Sequence, residues 1–360
     1  MHSTMRYASG KVLTKNGFIE GYVGYEAGVV VEVGEGKRRG AVIEGVIVPT
    51  LVNSHTHIAD SIVPLDTKLS MEELVKPPHG LKHRVLNKAT EKQLRDSITR
   101  ASVFMRRRGI SNYIDFREGG PEGAQVLATS FGKPRATIFG RPRELKFDPV
   151  EMEALIDVVD GIGVSSISDW DYGDLEQVAE FARSRGKRFA LHASERVQED
   201  IDRVLALKPD FIVHMTKASV EDLQACAEKD ARIVVCPRSN LFFGNLTPLA
   251  AMLDQGVEVS LGTDNAMFCT PDMLVEMEFA ARLLRLQGVK DVGEVLAMGT
   301  SYGRKLLNGK VTIGIEPGSP CDFMVVRDQG GDPATDLVLK GSSADPLMVC
   351  MGNEIWSGER

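Results

Sequence analysis

The middle of the chain alternates between short apolar runs and helical patterns at a regular pitch. The apolar runs "KRFALH", "DFIVH" and "ARIVV" are accompanied by helical patterns such as "DLEQVAEFARSRG" and "SVEDLQACAEKDA". His192 and His214 end the first two runs and Cys236 follows the third, at intervals of 22 residues. Because parallel strands need a crossover connection of a dozen or more residues, usually a helix, this pitch predicts repeated βαβ units.

Eight such apolar runs can be counted between residues 50 and 303. A span near the roughly 250 residues of a (β/α)8 barrel favours an α/β fold of the TIM-like barrel type. The alternative is an open, doubly wound sheet, but the Gly-x-Gly-x-x-Gly turn typical of that fold is missing after the first run. The connection between the first and second runs is long, as in barrels that use this segment as a lid or pocket wall.

Both ends of the chain have a different pattern from the middle. The N-terminal segment contains "FIEGYVGYEAGVVVEVGEG", which mixes β-branched and aromatic residues with regularly placed glycines, as hairpins do. The C-terminal segment returns to this style in "CDFMVVRD" and "PLMVCMGNEIWSGE". We therefore expect residues 1–49 and 304–360 to form the two parts of a small β-sandwich domain around a barrel at 50–303.

Composition argues against several classes of partner. The chain has a formal charge of −7 and no run rich in lysine or arginine, which argues against nucleic-acid binding. Its densest basic cluster, at residues 106–108, is expected to be the solvated last turn of a helix. No apolar run of 18 residues is present, and the N-terminus lacks the apolar core of a secretion signal. We therefore expect neither membrane insertion nor secretion.

The five cysteines are widely spaced and include no Cys-x-x-Cys pair. Their odd number and scatter indicate reduced thiols, and hence a cytoplasmic location. A homo-oligomer is compatible with the sequence, but no apolar stripe or patch requires one.

Four of the seven histidines fall at the carboxyl ends of predicted strands. His55 and His57 end the first strand, and His192 and His214 end the fifth and sixth. Asp264, in "SLGTDN", follows the eighth strand in an equivalent place. In a parallel barrel these ends meet at one mouth, where barrel enzymes keep their chemistry. Two buried, hydrogen-bonded histidines would explain His55 and His57 alone, but the five residues together indicate a metal site.

The motifs "SHTH", "HASE", "VHMT", "CPRSN" and "GTDN", in this order and spacing, make the chain resemble the amidohydrolase superfamily. The resemblance is greatest to the branch that contains cytosine deaminase, guanine and S-adenosylhomocysteine-type deaminases and triazine hydrolases. It covers nearly the whole chain, including "GIEPGSPCDFMVV", which is similar to the strand by which that branch re-enters its terminal β-sandwich. The motifs are specific as a set and only modestly so one at a time.

The resemblance implies one divalent metal ion held by His55, His57, His192 and Asp264, together with a water molecule. Three imidazoles and a carboxylate suit Zn²⁺ best, and Fe²⁺ accepts the same donors. Binuclear members of the superfamily carry a carboxylated lysine at the end of the fourth strand, but "GIGVSSISDWDY" contains no lysine. A bound metal lowers the pKa of its water to about 7, which would make hydroxide available at neutral pH.

The resemblance also implies roles in proton transfer. Asp264 would accept a proton from the water, and Glu195 of "HASE" would hand one to the ring nitrogen beside the carbon under attack and help to deliver one to the leaving amine. His214 would orient the attacking oxygen and stabilise the tetrahedral intermediate. The structural alternative for Glu195 is a glutamate in the first turn of a helix, where the helix dipole favours it.

Arginines cluster where strands two, three and seven should end, namely Arg117, Arg141, Arg143 and Arg238. Guanidinium groups near one mouth suit a substrate with a carboxylate or phosphate. Internal pairing with Glu118 and Glu144 would explain these arginines equally well. If the first interpretation holds, Arg238→Ala should raise KM for an anionic substrate without loss of metal.

Three further residues bear on the substrate. Trp170 is a candidate for stacking on a planar ring, but it could equally be an ordinary core aromatic. His79 and His83 lie in the long first connection, where they are either solvent-exposed surface histidines or part of a lid.

The combined prediction is a metal-dependent hydrolase that removes an amino group from a heterocycle, such as a nucleobase, nucleoside, pterin or triazine-like ring. The nearest alternative uses the same mononuclear site to open a cyclic amide or to displace chloride. Glu195 favours deamination, because the departure of an amine needs two protons and the departure of chloride needs none. A remote alternative is a non-catalytic barrel that binds metal.

Overall fold

A computed structural model describes residues 5–130, 132–309 and 313–358. The chain forms two compact units. The barrel unit comprises Asn53–Ser102 and Tyr113–Pro271, and the terminal unit comprises Met1–Val52, Val103–Asn112 and Asp272–Arg360. The domain boundaries expected after residues 49 and 303 stay predictions.

The strands, in chain order, are β1 (Arg6–Thr14), β2 (Gly17–Glu26), β3 (Val29–Glu35), β4 (Ile43–Pro49), β5 (Leu51–His57), β6 (Ile110–Arg117), β7 (Arg135–Gly140), β8 (Gly161–Val164), β9 (Arg188–Ala193), β10 (Phe211–His214), β11 (Ile233–Val235), β12 (Val259–Leu261), β13 (Asp264–Asn265), β14 (Asp322–Val326), β15 (Met348–Met351) and β16 (Glu354–Ser357). The first apolar run of the middle segment is thus divided between two strands, β4 and β5.

The α-helices are α1 (Met71–Val75), α2 (Leu81–Leu86), α3 (Glu91–Arg107), α4 (Gly120–Ala128), α5 (Pro149–Ile156), α6 (Tyr172–Ser184), α7 (Ile201–Ala206), α8 (Val220–Glu228), α9 (Pro237–Phe242), α10 (Leu249–Asp254), α11 (Met273–Leu286), α12 (Gly293–Gly299), α13 (Ser301–Asn308) and α14 (Pro333–Lys340). Short 3-10 helices span Ile58–Ile62, Ile167–Asp169 and Gly341–Ser343. Asp148, Asp171 and Asp200 accept first-turn backbone hydrogen bonds at the starts of α5, α6 and α7, which defines where these helices begin. No helix within the described ranges is both long and apolar enough to cross a membrane.

Nine strands form one sheet in the order β12-β11-β10-β9-β8-β7-β6-β5-β13. The successive pairs from β7 to β12 and the pair of β13 with β5 are parallel. Because β12 and β13 stand at opposite ends of this order but are separated in the chain by only Gly262 and Thr263, the sheet curls back on itself. This arrangement fits the predicted TIM-like barrel rather than an open sheet.

Aromatic rings fill the sheet below the carboxyl ends of its strands. Phe116 of β6 packs against Phe139 of β7 and Phe211 of β10, with ring centroids 5.5 and 6.0 Å apart. All three residues are fully buried. Phe116 also contacts the ring of His55 at 4.6 Å, so the apolar interior supports the histidines at the strand ends from below.

Strands from both chain ends form a seven-stranded sheet in the order β16-β15-β14-β4-β1-β2-β3. β4 pairs parallel with β1 and antiparallel with β14, which joins the two ends of the chain. Gly10 lies opposite Gly45, and a Cβ atom on Gly10 (φ +135°) would overlap the Gly45 carbonyl group, so this close approach requires glycine. Both ends therefore contribute to one sheet, whereas a separate two-layer sandwich stays a prediction.

Arg108 departs from the expected solvated helix end. α3 ends at Arg107, and the Arg108 side chain is buried within the terminal unit. Its Nε lies 2.8 Å from Oδ2 of Asp272 and its Nη1 lies 2.9 Å from Oδ1 of Asp345. The two carboxylates compensate the burial of its charge, so this part of the basic cluster is a structural ion-pair network.

Candidate metal centre

Four side chains singled out in the sequence meet in a buried cluster of the barrel unit. His55 and His57 end β5, His192 lies on β9 and Asp264 begins β13. Nε2 of His55 lies 3.2 Å from Nε2 of His192 and 3.3 Å from Oδ1 of Asp264. Nε2 of His57 lies 3.6 Å from the same Asp264 oxygen. All four residues are buried, so their donor atoms face one another rather than solvent.

The backbone explains why these side chains converge. His55 and His57 are two positions apart on an extended strand, so they lie on the same face. Asp264 pairs with Thr56 across β13 and β5 and has a φ of +58°, a left-handed conformation that is uncommon for residues other than glycine. Strain of this kind is typical of functional sites, and here it accompanies a carboxylate directed at two histidines.

Burial leaves lone pairs rather than positive charges on these rings. Burial lowers the pKa of His55 to about 3. Burial and the neighbouring His55 ring lower the pKa of His192 as well. Burial opposes the charged form of Asp264, but its hydrogen bond with His55 and its electrostatic interaction with His214 outweigh this and hold its pKa well below the ordinary range. At neutral pH these groups are therefore two neutral imidazoles and a carboxylate.

The cluster fits a divalent metal ion. Nδ1 of His192 donates to the Val164 carbonyl at 2.8 Å, so Nε2 of the neutral ring carries a lone pair directed at His55. Ligands of a tetrahedral zinc ion at Zn–N distances of about 2.0–2.1 Å stand about 3.3 Å apart. The separations of 3.2, 3.3 and 3.6 Å in the cluster are close to this value. Neutral imidazoles and a carboxylate at these distances are the donor set that zinc prefers.

Glu118 contacts His57 at the ring nitrogen that points away from the cluster. Oε1 of Glu118 lies 2.9 Å from Nδ1 of His57 and 2.6 Å from Nζ of Lys82. Lys82 also contacts Oδ2 of Asp60 at 3.0 Å, and Nδ2 of Asn265 donates to the same oxygen at 2.7 Å. Burial and the Lys82 charge oppose protonation of His57, but Glu118 and Asp60 outweigh them and raise its pKa. A carboxylate behind the ring orients Nε2 towards the cluster.

A second group of possible metal-ligating residues includes two carboxylates whose charge is compensated by a lysine. His57, Asp60 and Glu118 also bring three donor atoms close together. The Lys82 ammonium, however, contacts both carboxylates, and these contacts outweigh burial and raise its pKa. These carboxylates are therefore less available to a metal ion than the four-residue cluster, where no lysine among the described residues contacts the carboxylate.

Sequence reasoning missed this ion-pair network. Lys82 lies on α2 in the long first connection, where nothing in the local pattern separates a buried lysine from a solvated one. The position of Glu118 directly after the carboxyl end of β6 was a weak indication that it lies near the site. The sequence, however, indicated it only as a partner for arginine. Ser239, whose hydroxyl donates to Oδ2 of Asp264, lies within the "CPRSN" motif, which was the available signal for it.

Glu195 and His214 border the cluster. Nε2 of His214 lies 3.5 Å from Oε1 of Glu195, and both residues line a narrow cavity of about 60 Å³ together with His57, His192 and Asp264. Burial raises the pKa of Glu195, and the Asp264 charge adds to this effect despite the opposing His214 ring.

The first-turn alternative for Glu195 is wrong. Glu195 lies in a bend after β9, and the next helix, α7, begins only at Ile201, with Asp200 as its N-cap. The helix dipole therefore does not account for a glutamate at this position.

Two of the candidate arginines line a cavity in the barrel unit. Arg117 and Arg141 are buried and line a cavity of about 700 Å³, and Arg141 also borders the narrow cavity at the cluster. Their Nη1 atoms lie 3.9 and 3.7 Å from the oxygens of Glu118, which is too long for hydrogen bonds. Nε of Arg117 donates to the Gly123 carbonyl at 3.1 Å. The guanidinium groups of Arg117 and Arg141 therefore keep N–H donors that Glu118 does not satisfy.

The other two arginines have partners in the protein. Arg143 contacts Glu122, and its Nη1 lies 3.4 Å from Oε1 of Glu151. Nη2 of Arg238 donates to the Thr270 carbonyl at 2.8 Å. The internal-pairing interpretation therefore describes Arg143 better than Arg141.

Aromatic residues near the cluster fall into two groups. Trp170 is buried and its Nε1 donates to Oγ of Ser165 at 3.1 Å, as an ordinary core aromatic does. Phe243 and Phe268 line the narrow cavity, with ring centroids 5.2 Å apart, and Phe268 stacks on Phe242 at 4.6 Å.

The two histidines of the first connection have different environments. His79 is exposed, as expected of a surface histidine. His83 is buried against the larger cavity, with Nε2 3.1 Å from the Val75 carbonyl. Burial, assisted by the Lys82 and Arg141 charges, lowers its pKa to about 3. The expectation of a surface histidine is therefore wrong for His83.

Known proteins resemble the chain over most of its length. The amidohydrolase family model matches residues 46–353. A protein of Archaeoglobus fulgidus that is named as an aminohydrolase is 36% identical over 281 residues, which cover 78% of this chain and 80% of that protein. A 5-methylthioadenosine/S-adenosylhomocysteine deaminase of Pyrococcus furiosus is 26% identical over 345 residues, which cover 84% of this chain and 81% of that protein.

Solved structures share the fold. An adenosine deaminase from Xanthomonas campestris with bound zinc has a TM-score of 0.79 at 20% identity, covering 97% of this chain and 92% of its own. An atrazine chlorohydrolase from Arthrobacter aurescens complexed with zinc has a TM-score of 0.78 at 17% identity, covering 98% and 95%. At these identities the likeness concerns the fold, and it agrees with a TIM-like barrel.

Proposed function

Because the chain belongs to the amidohydrolase family, we propose that it is a hydrolytic deaminase that removes an amino group from a heterocycle. Family membership confirms the resemblance drawn from the motifs and makes the protein a hydrolase of carbon–nitrogen bonds other than peptide bonds. The ring is a nucleobase, nucleoside, pterin or triazine-like compound. The relatives named as 5-methylthioadenosine/S-adenosylhomocysteine deaminases support a nucleoside within this set.

We propose that His55, His57, His192 and Asp264 hold one divalent metal ion. Their spacing and the neutral imidazoles of His55 and His192 support Zn²⁺, and Fe²⁺ accepts the same donors. The zinc bound in two solved structures of the same fold also supports this assignment. When bound, such an ion supplies Lewis-acid chemistry that makes a water molecule nucleophilic near neutral pH.

The observation that carries the proposal is the pair of Glu195 and His214 beside the cluster, 3.5 Å apart. An amine leaves readily only after protonation, so deamination needs a group that can hold a proton and release it at the ring. Burial raises the pKa of Glu195, which brings its carboxyl closer to that task at neutral pH. Asp264 stays a carboxylate and can accept the proton that the attacking water loses.

We also propose that the substrate carries an acidic group that contacts Arg141 and Arg117. Arg141 borders both cavities, so a ring at the cluster can extend an acidic group towards it. The larger cavity, about 700 Å³, lies within the range of roughly 300–1,000 Å³ usual for small-molecule sites. Phe243 and Phe268, on the wall of the narrow cavity, offer flat surfaces for a planar ring.

The same donor set would serve the opening of a cyclic amide or the displacement of chloride. The solved atrazine chlorohydrolase shares the fold with this chain. A buried carboxyl with a raised pKa is useful for amine departure and unnecessary for chloride, so Glu195 favours deamination. A non-catalytic metal-binding barrel would have no need of the pair of Glu195 and His214. Cytoplasmic location and homo-oligomer formation stay predictions.

A substrate screen with the metal-loaded protein tests the proposal. Amino-purines, their nucleosides, amino-pterins and amino-triazines would be assayed for ammonia release, alongside the same rings carrying chloride and a set of cyclic amides. We expect ammonia from at least one amino compound and a higher kcat/KM for a member with an acidic group. Chloride release or ring opening without ammonia would favour the alternative. A fully metallated protein that hydrolyses none of these compounds would contradict the enzymatic proposal.

A further inference from the structure

The two ring nitrogens of His214 face different surroundings. Nδ1 lies 3.2 Å from Nδ2 of Asn240, and Nε2 lies 3.5 Å from Oε1 of Glu195. His214 ends β10 with a φ of +80°, and both His214 and Asn240 are buried. One edge of the ring is therefore held by the protein, and the other edge faces the cluster.

The orientation of the Asn240 amide determines which nitrogen of His214 carries the proton. The hydroxyl of Thr247 donates to Oδ1 of Asn240 at 3.0 Å, so the amide oxygen is engaged and Nδ2 is directed at His214. An amide nitrogen is only a donor, and its partner must offer a lone pair. A neutral imidazole has one proton, which then has to sit on Nε2.

We propose that Asn240 is a positioning residue that makes His214 a hydrogen-bond donor through Nε2–H. Distance alone would allow the opposite role, because His55, His214 and Asp264 also bring three metal-ligating atoms together. A nitrogen that carries a proton has no lone pair for a metal ion and cannot act as a base. It can instead donate to Glu195 or to an oxygen atom at the reacting carbon, as donors of an oxyanion hole do.

The consequence for catalysis rests on the proposed function, but the proton position does not. In the proposed reaction, oxygen becomes bonded to the ring carbon and negative charge develops in the site. His214 Nε2–H is aimed at that space, since it lines the narrow cavity with Glu195 and Asp264. Asn240 and Thr247 are not among the described residues that line this cavity, so they would act by fixing which ring nitrogen of His214 donates.

The proton position can be measured directly by nitrogen NMR. Zinc-loaded protein labelled with ¹⁵N in its histidine rings would be recorded, and the signals of residue 214 assigned by their loss in His214→Gln. We expect a protonated Nε2 and a bare Nδ1 on His214. A protonated Nδ1 would overturn the proposal, whatever the activity of the enzyme.

Two sets of variants test whether Asn240 is the cause. Asn240→Asp replaces the donor by a group of the same shape that only accepts, so we expect the proton to move to Nδ1. It should lower kcat by about 10²- to 10³-fold, the loss typical of removing one oxyanion donor, with zinc content unchanged. An unchanged proton position in a folded Asn240→Asp protein would refute the role of Asn240.

Thr247 supplies a matched pair that leaves Asn240 and the charge of the site intact. Thr247→Ser keeps the hydroxyl and should keep Nε2–H, whereas Thr247→Val removes it and should give a mixture of the two proton positions. Identical spectra for the two variants would show that Thr247 does not orient the amide. If the screen finds no substrate, the proposed function fails, but the spectra still decide the proton position.

Discussion

Nε2 of His192 lies 3.2 Å from Nε2 of His55, while Nδ1 of His192 donates to the Val164 carbonyl. The backbone carbonyl thus accepts a hydrogen bond from the one N–H group of the neutral ring. The lone pair on Nε2 of His192 is then directed at a second imidazole. Burial disfavours a positive charge on either ring, because it lowers the pKa of both. A divalent cation would bind the lone pairs of both nitrogens.

His192→Asn should lower the zinc content of the purified protein from about one ion per chain to far below one. Zinc should stabilise the wild type by about 4 kcal/mol at a free concentration 1,000 times Kd, and should leave His192→Asn unchanged. Metal analysis and thermal unfolding at increasing zinc concentration measure both effects. His79→Asn, which changes an exposed histidine, is the control and should behave like the wild type. Full zinc occupancy in His192→Asn would remove this residue from the metal site.

Glu195→Gln should strongly reduce the rate of ammonia release while zinc content stays the same. The amide has nearly the same shape but cannot deliver a proton, so we expect kcat to fall by about 10²- to 10⁴-fold. Steady-state kinetics on the substrate found in the screen provide the measurement. Glu221→Gln, at an exposed glutamate in the first turn of α8, is the control for loss of a carboxylate elsewhere. An active Glu195→Gln enzyme would leave proton delivery without an assigned residue.

Arg141→Met should raise KM for an acidic substrate by about 10- to 100-fold, the value of a hydrogen bond to a charged group. It should hardly affect a neutral analogue of the same ring, because in the proposed complex the guanidinium contacts only the acidic group. Arg238→Ala should have the smaller effect, since Nη2 of Arg238 is engaged by the Thr270 carbonyl. Kinetics of both variants on the acidic and neutral compounds make the comparison. A steep rise for Arg238→Ala alone would favour the sequence-based expectation over the structural one.

Lys82→Met should destabilise the fold by about 3–5 kcal/mol, because it leaves the buried carboxylates of Asp60 and Glu118 without their shared cation. Adding Glu118→Gln to Lys82→Met should recover part of this loss, since one unpaired charge is then removed. Urea unfolding of the two single variants and the double variant gives the coupling energy. Lys88→Met, at an exposed lysine in the same connection, should change the free energy of unfolding by less than about 0.5 kcal/mol. Strictly additive losses would show that the ion pair is not a stabilising unit.

His83 should make the fold less stable as the pH falls below its ordinary pKa of 6.5. The unfolded chain protonates His83 near that value, whereas burial keeps the folded form neutral down to about pH 3. Between these limits the unfolded state binds more protons, so the free energy of unfolding decreases with decreasing pH, by about 2 kcal/mol at pH 5.

His83→Gln should remove this dependence and keep a donor for the Val75 carbonyl. Urea unfolding at pH 7 and pH 5 should show little difference from the wild type at pH 7 and a more stable variant at pH 5. His79→Gln is the matched control, four residues away on an exposed site. Equal pH dependence in His83→Gln and wild type would mean that other groups cause the acid sensitivity.

The regular pitch of the middle segment was enough to predict parallel βαβ units, because the length of a crossover connection is a local constraint on the chain. The placement of His55, His57, His192 and Asp264 followed from the same pattern. Parallel strands bring their carboxyl ends to one edge, so the strand pattern by itself assigned residues that are distant in sequence to one place. The motif resemblance added the chemistry that spacing could not supply.

The tertiary structure alone decided how each polar side chain is paired. Lys82 reaches Glu118 and Asp60 from a helix in the long connection, and buried Arg108 pairs with two carboxylates. Arg141 keeps N–H donors that Glu118 does not satisfy, whereas Arg238 donates to a backbone carbonyl. Long side chains have several rotatable bonds, and their charge is stabilised by whichever partner the fold places within reach. Local pattern records that a residue is charged, but burial and partner are properties of distant segments brought together, and so they appear only in the folded chain.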